Sequence, residues 1–378
     1  MDQAPEAEYH DKMALSLSSK SDEFDVVMTG IMDVWAFAPA GYLEPLEGYV
    51  ADSNLTNPDY DWEDIFPKIT GASRWSGVDG EKVGSGPQWA VPIGFELMAL
   101  IYRGDIFEKY SIEVPETLPE LIEVAKIIEE NEPDMYAFSH RGNRFWGTIH
   151  TGPISLLTNY GGTDFDENLQ PQMGSPEGLE FHKDFVELLQ VGAPTGWTNY
   201  DWYNVLGDLA NGTAAMAIDA DILGAFAIDQ EESVVSEPGM IRWAPVPSGP
   251  NTNMHAGNLW IWNLSMNSSS DAKEAAWYFI QWATSKEQVL KGGLEYGTMN
   301  PVRQSTWDDT NFQQLVEAKY VGYVDTFVSD VEEASVLFTP QTNFAERVTE
   351  WAGAVQEMYE GADVESRLAK LVDDLTLE

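Results

Sequence analysis

Residues 24–30, Phe-Asp-Val-Val-Met-Thr-Gly, form a short apolar run that ends in glycine. A run of this length predicts a buried strand of a parallel sheet, and the glycine predicts the loop that follows it. Comparable runs occur at residues 88–92, 97–102, 135–138, 214–218 and 260–266. Helical patterns separate most of them, and strands that alternate with helices indicate an α/β fold.

The helices carry their own local signals. Thr117 begins the sequence Thr-Leu-Pro-Glu, which is a capping box with proline near the helix start. Ser270 or Asp271 is placed to cap a second helix, in which alanine, phenylalanine and isoleucine form one apolar face. Apolar periodicity predicts further helices at residues 8–19, 344–359 and 364–377. Because 378 residues exceed the usual size of one domain, we expect two lobes.

The charge balance limits the partners of the protein. Sixty-three acidic residues against 20 basic ones give a formal net charge of −43. This charge repels phosphate backbones and anionic lipid surfaces, so it excludes a nucleic-acid partner. The absence of cysteine excludes disulfides, thiolate nucleophiles, iron–sulfur clusters and cysteine-based zinc sites. His140 and His150 lie ten residues apart without a third ligand at metal spacing, so we predict neither a metal nor a cofactor.

The N-terminal sequence is not that of a secretory signal. It carries acidic residues where a signal would carry lysine or arginine followed by an apolar run. No window approaches the roughly 18 consecutive apolar residues that span a bilayer. We therefore expect that a signal peptide has been removed or that the start of the reading frame is missing.

Four blocks of sequence together resemble the extracellular solute-binding proteins of carbohydrate ABC importers, the group that includes the maltose-binding protein. The blocks are residues 24–50 with Ala-Gly-Tyr-Leu-Glu-Pro-Leu, 90–117 with Val-Pro-Ile, Leu-Ile-Tyr-Arg and Val-Pro-Glu-Thr, 160–216, and 275–287. The resemblance implies a two-lobed periplasmic-binding-protein fold of type II, with a ligand cleft between lobes joined by hinge crossings. It places residues 1–104 and 259–300 in the N-terminal lobe, and 105–258 and 301–378 in the C-terminal lobe.

Two further motifs resemble the branch of this group that takes up sugars and polyols. They are residues 141–150, Arg-Gly-Asn-Arg-Phe-Trp-Gly-Thr-Ile-His, and residues 202–205, Trp-Tyr-Asn-Val. Members of the group begin with a strand, a helix and a second strand ahead of the helix matched by residues 8–19. We therefore expect an N-terminal lobe that is incomplete at its start and lacks one ligand-contacting loop. The strand at residues 24–28 would then be an unprotected edge that pairs with another chain.

A sugar or polyol is neutral and rich in hydroxyl groups, so its site needs aromatic faces beside aspartate, asparagine and arginine. Asp33 and Trp35 follow the first strand, at the carboxyl end where α/β sheets bind ligands. Glu96 matches a family position that contacts sugar near the hinge. The alternatives are a Trp35 that packs on its own lobe and a Glu96 that forms a hinge ion pair.

The second lobe carries the densest polar and aromatic cluster. Its members are Arg141, Asn143, Arg144 and Trp146, on a loop after the strand at residues 135–138. An arginine fork can hold two vicinal hydroxyl groups. The alternative is that one of these arginines pairs with the acidic surface.

Three further groups match family contacts. Asp219 and Asp221 follow the strand at residues 214–218, and either could instead cap the next helix. At the second crossing, Gly257 and Asn258 predict a close backbone approach, followed by Trp260. Trp260 and Trp262 share one strand face by alternation, so at least one of them belongs to the core. At the third crossing, Asn300 and Arg303 reach the cleft or lock the hinge.

The resemblance implies a substrate-binding component of an ABC importer and not an enzyme. Its partners would be a small neutral carbohydrate or polyol and the importer permease. We expect a monomer that is periplasmic or extracellular and lipid-anchored in its full-length form. A ligand-sensing receptor of the same fold and a secreted glycoside hydrolase are the alternatives; hydrolysis would need two carboxyl groups at a set separation.

The acidic surface leads to a first prediction. If its charges repel one another, screening by NaCl should raise the melting temperature, with most of the gain below about 1 M, where the Debye length falls to roughly 3 Å. Thermal unfolding in a series of NaCl concentrations measures the effect. A melting temperature that stays constant over this range would contradict the prediction.

Overall fold

A computed structural model describes residues 6–297 and 300–376 of the chain. The chain separates into two compact units, and we describe each by itself. Unit 1 comprises Met1–Phe95, Trp260–Phe312 and Pro340–Phe344. Unit 2 comprises Glu96–Leu259, Gln313–Thr339 and Ala345–Glu378. Residues 301–312 and 340–344, which the sequence assigned to the C-terminal lobe, thus group with unit 1. Residues 96–104 and 259, which it assigned to the N-terminal lobe, group with unit 2.

The described residues contain the following strands and helices. The strands are β1 (Val26–Gly30), β2 (Ala90–Arg103), β3 (Tyr136–Ser139), β4 (Ala214–Ala220), β5 (Ile241–Ala244) and β6 (Leu259–Met266). The helices are α1 (Glu6–Ser18), α2 (Ile31–Phe37), α3 (Glu47–Ala51), α4 (Pro67–Ala72), α5 (Gly104–Tyr110), α6 (Leu118–Asn131), α7 (Trp146–Thr151), α8 (Pro153–Asn159), α9 (Pro176–Gly192), α10 (Trp202–Ala210), α11 (Ile222–Asp229), α12 (Lys273–Ala283), α13 (Lys286–Tyr296), α14 (Gln304–Trp307), α15 (Thr310–Lys319), α16 (Tyr323–Glu333), α17 (Phe344–Tyr359) and α18 (Val364–Leu375). Single turns of 3₁₀ helix lie at Pro58–Tyr60, Trp62–Asp64 and Trp197–Asn199.

The local helix signals are confirmed with one correction. At α6 the amide of Glu120 donates to Oγ1 of Thr117 over 3.3 Å, and the amide of Thr117 donates to Oε2 of Glu120 over 3.2 Å. Helix α12 instead has Ala272 as its N-cap residue. The Ser270 hydroxyl accepts the amide of Ala272 at 3.0 Å, so it fixes the turn one step before the helix. The end predicted for the last helix, Leu377, lies outside the described residues.

The strand predictions hold for position but not always for pairing. β1 is antiparallel to β6, with Val26 opposite Met266 and Gly30 opposite Trp262, so the predicted parallel pairing of this strand is wrong. Its neighbour comes from much later in the chain and runs the other way. The two runs predicted at residues 88–92 and 97–102 form one continuous strand, β2. The four residues of β5 were missed because Arg242 interrupts an apolar run that is already short.

In unit 2 the sheet contains the parallel pair that the α/β pattern predicts. β3 is parallel to β4, with Tyr136 opposite Ala214. β4 is antiparallel to β2, with Leu100 opposite Ile218, and β5 pairs antiparallel with the other edge of β2. Every residue of β4 is buried. Because β3 and β4 run the same way, the side chains after β3 meet those at the end of β4.

In unit 1 β1 pairs with β6, and helix α1 packs on β1. Met13 and Leu17 of α1 lie in one buried cluster with Val27 and Val34. The expected unprotected edge is covered at its centre. The Tyr9 hydroxyl accepts the amide of Met28 and donates to the carbonyl of the same residue, each at 2.8 Å.

The Tyr9 hydroxyl keeps its proton over the whole neutral range. Burial raises its pKa to about 12; the hydrogen bond with Met28 opposes this shift, and the negative charge of Asp33 adds to it. The hydroxyl therefore stays both donor and acceptor, as the two backbone groups of Met28 require.

Tyr9→Phe should expose both backbone groups of Met28, because it removes only the hydroxyl. We expect a loss of about 1 kcal/mol in the free energy of unfolding and faster hydrogen exchange at Met28. Tyr278→Phe, the same change at a half-exposed position of α12, is the matched control. Equal exchange of Met28 in Tyr9→Phe and in the unchanged chain would contradict this role of Tyr9.

Candidate functional site

In unit 1 the predicted residue Asp33 lies in the first turn of α2, three residues after the end of β1. The side chain is buried, and its Oδ2 accepts the amide of Gly30, the N-cap residue of α2, at 2.8 Å. Its Oδ1 lies 3.2 Å from Nδ1 of His10, on α1. A carboxylate has about four acceptor positions. These two contacts occupy one acceptor position on each oxygen of Asp33. Asp33 thus presents an oriented carboxylate at the carboxyl end of β1.

Two tryptophans of β6 lie beside this strand end. Trp260 is fully buried and Trp262 is partly exposed; their rings make an edge-to-face contact with centroids 6.3 Å apart. The shared strand face and the core position of one tryptophan are confirmed. Gly30 packs so closely on Trp260 that a Cβ atom there would lie 3.2 Å from the ring. The ring of His10 stacks on Trp262 at 6.3 Å with an interplanar angle of 29°.

Trp35 has the contacts of a core residue. Its side chain is fully buried and meets the ring of Phe344 edge-to-face, with centroids 5.2 Å apart. Within the described part of the chain its Nε1–H has no hydrogen-bond partner. The structure therefore places Trp35 as the alternative described it, packed on its own unit.

Arg303 ties together the loops of unit 1. Its Nε donates to the carbonyl of Thr284 at 2.6 Å, and Nη1 donates to the carbonyl of Asp61 at 2.9 Å and to the Asp64 carboxylate at 3.1 Å. The guanidinium also lies over the ring of Tyr60, 4.9 Å from its centre. These contacts explain why residues 301–312 group with unit 1.

Electrostatics at this arginine follow from its contacts. Burial raises the pKa of Asp64, but hydrogen bonds from Ser305 and Arg303 outweigh it and hold the pKa below the usual range.

Asn300, three residues before Arg303, is buried with a left-handed φ of 53°, a conformation that asparagine tolerates. Glu96 is buried and lies inside the continuous strand β2, as its seventh residue, and not ahead of a separate strand at residues 97–102.

In unit 2 the structure brings two predicted residues together. Arg141 donates from Nε to Oδ2 of Asp219 at 2.9 Å and from Nη2 to Oδ1 at 2.7 Å. Both side chains are buried. Asp219 lies inside β4, opposite Ala99, so the prediction that it follows this strand is wrong. Nε and Nη2 of Arg141, which the sequence predicted to bind two ligand hydroxyls, therefore bind Asp219. The third nitrogen, Nη1, lies 3.5 Å from Nε2 of His150.

The histidines around this pair are neutral near pH 7. Burial lowers the pKa of His140 to about 4, although the charge of Asp219 opposes the shift. Burial also lowers the pKa of His150 well below its usual value, and the positive charge of Arg141 lowers it further. His150 therefore faces Arg141 as a neutral acceptor.

The other members of the Arg141 cluster have separate roles. Oγ1 of Thr148 donates to the carbonyl of Asn143 at 2.7 Å, which shapes the start of α7. Arg144 is exposed and forms an ion pair with Glu350 of α17, with Nη2 2.7 and 2.8 Å from the two carboxylate oxygens. Trp146 is buried, with its ring centre 5.4 Å from that of His150. Of the cluster, Trp146 therefore packs on His150, the neighbour of Arg141, while Arg144 pairs with a surface helix.

Asp221 is the cap of the helix α11, as its alternative predicted. Oδ1 accepts the amides of Ile222 at 2.9 Å and of Leu97 at 3.1 Å, and Oδ2 accepts the Tyr323 hydroxyl at 2.9 Å. The carboxylate is buried. Its contacts join a helix start to β2 and to α16.

Gly257 and Asn258 form a close backbone junction with β2. A Cβ atom on Gly257 would lie 2.5 Å from the carbonyl oxygen of Met98, so the predicted close approach is confirmed. Asn258 is fully buried; its amide donates to the Ser155 hydroxyl at 3.0 Å, and its Oδ1 accepts the amide of Leu337 at 3.1 Å. Both residues thus fix the backbone of unit 2.

Two neighbours of the predicted residues were missed. His10 contacts Asp33 from a helix 23 residues earlier, and no sequence signal links the two. His150 belongs to the motif at residues 141–150 but was considered only as a metal ligand.

Among residues 6–297 and 300–376, no group of three or more histidines and carboxylates could hold a metal ion. The same residues include no helix with the length and hydropathy of a membrane span.

Comparisons with known proteins agree with this fold. The sequence pattern of the family described as bacterial extracellular solute-binding protein matches residues 1–290. The erythritol/L-threitol-binding protein of Mycolicibacterium smegmatis is 35% identical over 376 residues, which is 98% of this chain and 78% of that protein. The mannitol-binding protein of Pseudomonas aeruginosa is 28% identical over 277 residues, 73% of this chain and 59% of that protein.

Solved structures share the fold. A solute-binding protein of an ABC transporter from Agrobacterium radiobacter, in complex with ribitol, superimposes with a TM-score of 0.86 at 22% identity, covering 99% of this chain and 90% of that one. One from Agrobacterium vitis with bound D-mannitol gives a TM-score of 0.81 at 24% identity, covering 98% and 88%. From the sequence match over most of its length, the chain belongs to the family of bacterial extracellular solute-binding proteins.

Proposed function

We propose that this protein binds an acyclic polyol, of the erythritol or pentitol size class, and delivers it to the permease of an ABC importer. The observation that carries the proposal is 35% identity over 98% of the chain to an erythritol/L-threitol-binding protein. The ribitol and D-mannitol complexes of proteins with the same fold support the ligand class.

The chemistry around Asp33 supports a neutral ligand with many hydroxyl groups. Its carboxylate can accept hydrogen bonds from ligand hydroxyl groups in addition to the two contacts that it already makes. Trp262, partly exposed beside it, offers an aromatic face to C–H groups. We propose Asp33 and Trp262 as ligand contacts of unit 1.

Unit 2 is proposed to contribute Arg141. Asp219 holds the guanidinium at two nitrogens and His150 lies at the third, so the group is oriented before any ligand binds. A preoriented donor loses less conformational entropy on binding a hydroxyl. Of the other predicted residues, Arg144 is proposed to lie outside the ligand contacts because it is paired with Glu350 at the surface.

We further propose a monomer that acts by binding alone, without covalent chemistry, in the periplasm or at the cell surface with a lipid anchor on the full-length form. The family supports an extracytoplasmic binding protein. Release of free sugar from glycosides during incubation would instead support the hydrolase alternative.

Ligand binding is tested by thermal shift and calorimetry with erythritol, L-threitol, ribitol, D-mannitol and maltose. We expect at least one polyol to bind with micromolar affinity or better, about −8 kcal/mol, and to change tryptophan emission. Binding of maltose alone, or of none of the five, would contradict the polyol proposal.

Arg141→Lys tests the proposed contact in unit 2. It keeps the charge but loses the planar fork, so we expect polyol binding to weaken by about 1.5–3 kcal/mol. Arg144→Lys is the matched control and should bind as the unchanged chain does. Equal affinities for both variants and the unchanged chain would remove Arg141 from the site.

A further inference from the structure

One side chain of helix α1 contacts the carboxylate of Asp33, which we propose as a ligand contact. His10 lies on α1, and its Nδ1 is 3.2 Å from Oδ1 of Asp33. The two side chains are 12% and 7% exposed, so the contact is shielded from water. A hydrogen bond in such surroundings is stronger than one at the surface.

The direction of this hydrogen bond follows from the chemistry of its partners. An ionised carboxylate only accepts hydrogen bonds, so Nδ1 of His10 must carry the proton. Oδ2 of Asp33 already accepts the amide of Gly30 at 2.8 Å. The carboxylate is therefore held at both oxygens, by the backbone of its own strand end and by a second helix.

The same imidazole also contacts the aromatic side of the site. Its ring stacks on Trp262 at 6.3 Å, and Trp262 meets the buried Trp260 edge-to-face. The position of α1 is itself fixed nearby, since the preceding residue, Tyr9, is bonded to the backbone of Met28. His10 thus joins an acceptor and an aromatic face into one rigid arrangement.

We propose that His10 is a positioning residue for ligand binding, which fixes the carboxylate of Asp33 and supports the ring of Trp262. The inference rests on the proposed function, in which Asp33 accepts hydroxyl groups of the polyol. Holding the carboxylate in one rotamer before binding raises affinity because less side-chain entropy is lost in the complex. His10 itself need not touch the ligand.

Two variants separate the two contacts of the imidazole. His10→Phe keeps an aromatic ring against Trp262 but has no donor for Asp33. His10→Asn keeps an N–H near the position of Nδ1 but has no ring. His255→Phe is the matched control, because Nδ1 of His255 bonds only to a backbone carbonyl, that of Val246 in unit 2, at 3.0 Å among its described contacts.

The first measurement uses the protein without ligand. Nitrogen-15 NMR of the imidazole should show the proton on Nδ1. Hydrogen exchange at Gly30 should be about tenfold faster in His10→Phe, because a freed carboxylate caps this amide less of the time. It should be near the unchanged rate in His10→Asn. A proton on Nε2 alone, or unchanged exchange at Gly30 in His10→Phe, would overturn the hold of His10 on Asp33.

The second measurement is a double-mutant cycle with erythritol, ribitol and D-mannitol as probes. His10→Phe should weaken binding of the best probe about tenfold, the effect of one hydrogen bond to a charged group, while His10→Asn largely restores it. In an Asp33→Ala background, which has no side-chain acceptor for His10, the same change should cost less than about twofold if His10 acts through Asp33. Equal losses in the two backgrounds would overturn the positioning role.

The two measurements also distinguish this inference from the proposed function. If none of erythritol, L-threitol, ribitol and D-mannitol binds the unchanged chain, the proposed function fails, and with it the ligand-binding role of His10. The NMR and exchange results still decide whether His10 orients Asp33. If a polyol binds but His10→Phe binds it as tightly as the unchanged chain, only the inference about His10 fails.

Discussion

A carboxylate that is withdrawn from water needs donors in place of the water, because an unpaired buried charge costs several kcal/mol. This constraint organises the strand ends of the protein. Asp33 receives a backbone amide and an imidazole, Asp219 receives two guanidinium nitrogens of Arg141 and the amide of Ala220, and Asp221 receives two amides and a hydroxyl. Each set of donors comes from more than one element, so each buried aspartate also fixes how a strand meets its neighbours.

The same constraint explains which parts of the site could be predicted. That aspartates lie close to the ends of β1 and β4 could be predicted from the sequence alone. What a buried aspartate pairs with is decided by residues far along the chain. Arg141 and Asp219 are 78 residues apart, and both were predicted to meet ligand when the fold joins them to each other.

The fold shows a similar division. The capping box of α6 and the two C-terminal helices could be predicted because their signals lie within one helix. The antiparallel pairing of β1 could not, because its partner lies more than 230 residues later in the sequence, roughly the separation of Met28 from Leu264. The short strand β5 depends on the neighbouring β2 for its existence, so its own four residues gave no usable pattern. In both cases the strand's pairing is determined by tertiary contacts with another strand.

The basic residues are divided between interior and surface by type. Of the eight arginines in the sequence, five are buried: Arg103, Arg141, Arg303, Arg347 and Arg367. All twelve lysines lie in the described residues, and none of them is buried. The flat, multiply donating guanidinium suits interior pairing, whereas the strongly hydrated ammonium remains in water. Labels that react with lysine would consequently modify exposed or half-exposed positions, and the ion pairs of the buried arginines would stay unmodified.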